Sequence, residues 1–149
     1  MTILLLGSSY FQKALVDLGH DVVRAGTDRD CDPRLEEKDL DVPRIISKLG
    51  RNIEAVILTD DLGRRVFPSG LERTRVLKVY HGVDGPLNYF WQRHFAPLFD
   101  LVALDQKTTA EKIPGAFWLP VGIETRLYQG PPEEPRHDIG FVGVVDSRV

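Results

Sequence analysis

Three short segments of this 149-residue chain carry residue types able to do chemistry, and each directly follows an apolar run. Gly7-Ser8-Ser9-Tyr10 follows Ile3 to Leu6, Tyr80-His81-Gly82-Val83-Asp84-Gly85-Pro86 leaves the run from Arg75 to Tyr80, and Pro120-Val121-Gly122-Ile123-Glu124 follows Ala116 to Leu119. His81 titrates near neutrality, and Asp84 is close enough in sequence to orient it, so the two can serve as an acid–base or hydrogen-bonding pair. Gly7 lets a ligand come close, and backbone N–H groups at a helix start after Ser8 and Ser9 suit an anionic or hydroxyl-rich ligand. Pro120 and Gly122 suit a cleft wall or a domain crossing. Each segment also has a plainer reading: a serine-capped turn, a loop histidine, an ordinary strand exit.

Other patterns fail on a specific residue. Gly7-Ser8-Ser9 matches neither the dinucleotide fingerprint nor the lysine-bearing phosphate loop. Asp28, Asp30 and Asp32 sit at the first three ligand positions of a calcium loop, but Pro33 stands where the sharp turn needs glycine, and a solvated acidic loop is expected there. Asp60 and Asp61 would suit a phospho-acceptor domain only with an acidic cluster after the first strand, where this chain has Gly7-Ser8-Ser9. The lone Cys31 excludes an internal disulfide and a Cys-rich zinc site, so no metal is expected. His94 falls within an apolar helical stripe and is expected to pack.

The elements that must position these residues alternate. Ile3 to Leu6 reads as a strand covered on both faces. Phe11, Ala14, Leu15 and Leu18 form one stripe of a helix capped by Ser8 or Ser9 and stopped by Gly19. Asp21 to Ala25 is a second strand. After a polar loop from Thr27, Asp41 caps a helix with Pro43 in its first turn, Val42, Ile45, Ile46 and Leu49 inward, and Gly50 at its end. Strands are expected over Ala55 to Leu58, Arg75 to Tyr80, Leu101 to Leu104 and Ala116 to Leu119. A helix with Leu87, Phe90, Trp91, His94, Phe95 and Leu98 on one face begins near Pro86, and a short one covers Thr108 to Lys112. The order predicts an α/β fold, a Rossmann-like, doubly wound, mostly parallel sheet.

Composition bounds the partners. Nineteen basic and 22 acidic side chains give a net charge of −3, which argues against nucleic acid. With 42% apolar residues but no run of about 18, no integral membrane segment is expected, and a cytoplasmic protein is. The first domain is expected over residues 1–129. Residues 130–149 begin with a Pro-rich connector, Gly130 to Pro135, and continue into the apolar run Ile139 to Val145. That run reads as the first strand of a second domain cut short, or else as a last strand of the same sheet. Unpaired, it is expected to pack back on the sheet or to form a homodimer through residues 139–145.

Several segments together resemble glycosyltransferases with two facing Rossmann-like domains, the GT-B architecture. Leu18-Gly19-His20-Asp21-Val22 is similar to the step between first helix and second strand there, Trp118 to Glu124 to the segment that ends the N-terminal domain, and Asp138 to Gly143 to the strand that opens the C-terminal one. Tyr80 to Asn88, with Phe90-Trp91-Gln92 and Asp100-Leu101-Val102, resembles the CgeB/spore-maturation-type glycosyltransferase-like proteins. The resemblance implies the N-terminal, acceptor-side half of a metal-independent enzyme that takes sugar from a nucleotide-sugar, with no cofactor. The acceptor would be a small molecule, glycan or protein, and the missing C-terminal domain would hold the donor, so the fragment alone is expected to be inactive. It places Gly7, Ser8, Ser9, Tyr10, Asn88, Gly122 and Glu124 at the cleft, with His81 near the transferring sugar and Asp84 beside it. The alternative is a non-catalytic binding or scaffold module on the same fold. A small nucleotide sensor is a third reading, for which the phosphate-gripping loop is lacking.

Overall fold

The computed structural model describes residues 1–27, 29–36, 40–60 and 67–122. Glu124, the Pro-rich connector, the run Ile139 to Val145 and the division into domains at residue 129 lie outside them. Among the described residues six strands form one all-parallel sheet in the order β2-β1-β3-β4-β5-β6. The strands are β1 (Thr2–Gly7), β2 (Asp21–Ala25), β3 (Ala55–Thr59), β4 (Leu77–Gly82), β5 (Leu101–Leu104) and β6 (Ala116–Trp118). Between them run α1 (Gln12–Asp17), α2 (Val42–Leu49), α3 (Gly85–Phe95) and α4 (Lys107–Ala110). This is the expected doubly wound α/β arrangement, in which the strand order reverses beside β1. Among the described residues no helix is long and apolar enough to cross a membrane.

Local chemistry explains the elements that match expectation. Asp41 caps α2, its Oδ1 accepting from Arg44 N at 3.0 Å, and Gly50 ends the helix in the left-handed region. Leu4, Leu5 and Leu6 are fully buried in β1, as a strand covered on both faces requires. The main core joins Leu4 and Leu6 to Val42 and Ile45 of α2, Val56 and Leu58 of β3, Tyr80 of β4 and Leu104 of β5.

Three elements differ. Strand β4 begins and ends two residues later than its sequence suggests, because Leu71–Arg73 form a 3-10 turn fastened by Thr74 Oγ1 donating to Gly70 O at 2.8 Å. Asp100 then accepts from Lys78 N at 2.8 Å and fixes the strand start. His81 is therefore a strand residue, paired across to Thr59 and Ala103, rather than a loop residue. Neither serine caps α1: its N-cap is Phe11, without a side-chain bond, and the expected stripe leaves no residue of the helix buried. In α3 the inward face is rotated from the apolar stripe. Gly85 and Gln92 are buried, while Leu87, Phe90 and His94 are exposed.

Candidate functional site at the carboxyl ends of the strands

Because all strands run the same way, the segments after β1, β3, β4, β5 and β6 leave the sheet at one edge. The reversal of strand order beside β1 is where open α/β sheets take ligands. Here the chain itself fills much of that point. Ser8 N donates to Thr59 O at 3.3 Å, and Thr59 Oγ1 donates to Ser8 O at 2.6 Å and Leu6 O at 3.3 Å. Gly7 has φ +84°, and a Cβ on it would lie 2.0 Å from Thr59 O. The glycine thus permits close approach of the neighbouring strand, where the sequence suggested a ligand. Buried Arg24 closes the other side, with Nη2 donating to Gly7 O at 3.3 Å and Nη1 to Asp30 Oδ2 at 2.5 Å.

Farther along the edge, segments distant in sequence meet. Tyr10 stacks on His81 with centroids 6.2 Å apart, and Phe11 meets the imidazole edge-on at 4.8 Å. The Tyr10 hydroxyl donates to the carbonyl of Gly122. Gly7, Ser8, Tyr10, His81 and Gly122 therefore share one rim, with Ser9 exposed between two of them. His81 is only 3% exposed and its Nε2 is buried without a partner. Burial pushes its pKa below the ordinary histidine value, while the Asp105 carboxylate and the Leu119 carbonyl act in the opposite sense. The result is a neutral imidazole at neutral pH.

The residues between β4 and α3 serve the turn itself. Asp84 adopts φ +52° at the N-cap of α3, and its N–H donates to Asp105 Oδ2 at 3.2 Å. The described hydrogen bonds do not join Asp84 to His81, and the carboxylate whose charge bears on the imidazole is Asp105. Asn88 uses both ends of its amide internally, donating to Val83 O at 3.2 Å and accepting from Trp91 Nε1 at 3.2 Å.

On the opposite face of β4 lies a second polar group. Tyr80 OH donates to Asp60 Oδ2 at 3.1 Å, and Gln92 Nε2 donates to the same oxygen at 3.3 Å and to Val83 O at 3.0 Å. Burial, then the Asp60 charge, pushes the Tyr80 pKa far above its ordinary value, so the phenol keeps its proton. Sequence reasoning missed Asp105, Gln92, Arg24 and Phe11 as site residues and weighed Asp60 only as a phospho-acceptor, a reading it set aside. A signal was present for two of them: Asp60 and Asp105 each stand immediately past the last residue of an apolar strand, at the edge where the other candidates lie.

Comparison of the chain with family models, curated proteins and solved structures finds no match in any of the three.

Proposed function

We propose that this chain is the acceptor-side domain of a glycosyltransferase that moves sugar from a nucleotide-sugar to a hydroxyl-bearing acceptor. The observation that carries the reading is the meeting of Tyr10, His81 and Gly122, from segments after β1, within β4 and after β6, on one rim of a doubly wound sheet. In the transfer, the bond between the anomeric carbon and the nucleotide diphosphate breaks, a bond to the acceptor oxygen forms, and the hydroxyl proton passes to the departing diphosphate. The rim would hold the acceptor, and a second domain would hold the donor and receive the departing diphosphate. Positioning supplies most of the rate in such a division of labour. His81, neutral and covered by Tyr10 and Phe11, suits hydrogen bonding to substrate once that cover moves. The test is turnover of a panel of nucleotide-sugars by the parent protein, together with calorimetry on the present chain. Turnover with weak nucleotide binding by residues 1–149 supports the proposal. Tight nucleotide binding by this chain alone, or no turnover of any donor by the parent, overturns it.

A second reading has its own support. The reversal point beside β1 is stitched by Ser8 and Thr59, and His81 is enclosed by the chain's own rings. Both suit a binding or scaffold module without catalysis, for which the parent protein binds a partner at the rim but turns over no nucleotide-sugar.

A further inference from the structure

Two buried polar atoms near the rim lack a partner: His81 Nε2 and Asp105 Oδ1. The strand register sets them on one side of the sheet. His81 pairs across to Ala103, and Asp105 lies two residues farther along, so alternation returns it to the face of His81. Asp105 N donates to Gly82 O at 3.1 Å, which continues the ladder one residue past β5. Ala103, paired with His81, adds only a methyl group to that face. The other carboxylate oxygen of Asp105 is fixed by the N–H of Asp84.

Such atoms are rarely left buried and unpaired in a folded chain, and those that are call for a specific explanation. Their chemistry is complementary to a pair of hydroxyls on one molecule. A carboxylate oxygen only accepts, so it takes the hydroxyl proton. A neutral imidazole whose other nitrogen turns its proton to the Leu119 carbonyl leaves Nε2 as an acceptor, so Nε2 takes the proton of a second hydroxyl. The ring that lies over the imidazole is held by few contacts. Tyr10 is 44% exposed, touches His81 and Phe11 through its ring, and is tied at its far end by one hydrogen bond to exposed Gly122.

We propose that Tyr10 is a movable cover over a subsite for a sugar or other small polyol, in which Asp105 Oδ1 and His81 Nε2 each receive one hydroxyl of the same molecule. This rests on the reading of the rim as the ligand-bearing face, but not on sugar transfer. Rotation of the Tyr10 side chain breaks the bond to Gly122 and frees one side of the imidazole, with Phe11 still against it and the strands unchanged.

The experiment is a titration of the full chain with D-glucose and with glycerol, read by the ring resonances of His81. Tyr10→Ala is expected to respond at a concentration at least about tenfold lower than the wild type. Tyr10→Phe, which keeps the ring and loses the bond to Gly122, is expected to fall between them, and it carries the test if Tyr10→Ala does not fold. Adding Asp105→Asn to either variant should abolish the response. An unchanged midpoint in both Tyr10 variants, a response that survives Asp105→Asn, or silence of His81 toward both polyols overturns the proposal. A His81 response without nucleotide-sugar turnover in the parent protein upholds the subsite and removes the transferase reading. Turnover without the response does the reverse.

Discussion

The ring of Tyr10 lies within 15° of parallel to the imidazole of His81, although the two come from opposite halves of the sequence. That stacking, with Phe11 against the imidazole edge, takes His81 out of solvent and holds it neutral.

A pH dependence follows. Burial lowers the His81 pKa in the folded chain relative to an unfolded value near 6.5. The unfolded chain then binds the extra proton more readily, so stability falls as pH drops below about 6.5. Denaturant unfolding between about pH 7.5 and 5.5 is expected to show this decline, and His81→Gln to flatten it. Asp41 and Asp100 have carboxylates held below their usual range mainly by backbone N–H groups. Their contributions are lost only at lower pH, below that window.

Gly7→Ala is expected to cost about 3 kcal/mol or more and to leave little soluble protein. Two causes combine: φ of +84° disfavours any side chain, and the new Cβ meets the Thr59 carbonyl oxygen at 2.0 Å, a backbone atom with no rotamer to escape into. Expression yield and denaturant midpoint measure it. A variant as stable as the wild type means the β1–β3 junction differs from this geometry.

Gly85→Ala tests the seating of α3. Its Cβ would lie 2.3 Å from Thr109 Oγ1 and 2.6 Å from Thr109 Cβ, and the expected loss is about 1–3 kcal/mol by thermal unfolding. Thr109→Ala should fail to rescue it, since that change keeps the nearby Cβ.

Tyr80→Phe removes the hydroxyl that donates to Asp60 Oδ2 in a buried setting, where Gln92 then remains as a donor to that oxygen. The expected cost is about 1–3 kcal/mol, read as a shift in denaturant midpoint with unchanged slope. A neutral result would mean that the phenol does not make this bond.

Part of this was legible in the sequence and part was not. Helix α2 carries its own punctuation, Asp41 before it, Pro43 in its first turn and Gly50 after it, so its ends could be read directly. The run Leu101 to Leu104 likewise becomes β5 without change. His81 reads as following the strand because nothing in the local pattern reveals that Thr74 fastens a 3-10 turn and delays β4. Apolar spacing misplaces the inward face of α3 because it cannot anticipate a buried Gln92 whose Nε2 donates to Asp60 and Val83. The convergence of the glycine-bearing segments on one edge followed from parallel strand order. The placing of His81 and Asp105 on one face depends on register between β4 and β5, which no spacing within either strand encodes.

The central claim is that the rim bearing Tyr10, His81 and Gly122 is the face that meets ligand. Amide chemical-shift mapping of this chain with a library of mono- and disaccharides tests it most directly. The account predicts changes concentrated at Ser8 to Phe11, His81 to Asp84, Asp105 and Leu119 to Gly122. Changes centred instead on the cavity of about 390 Å³ lined by Val23, Arg34, Lys48 and Leu49 would contradict it.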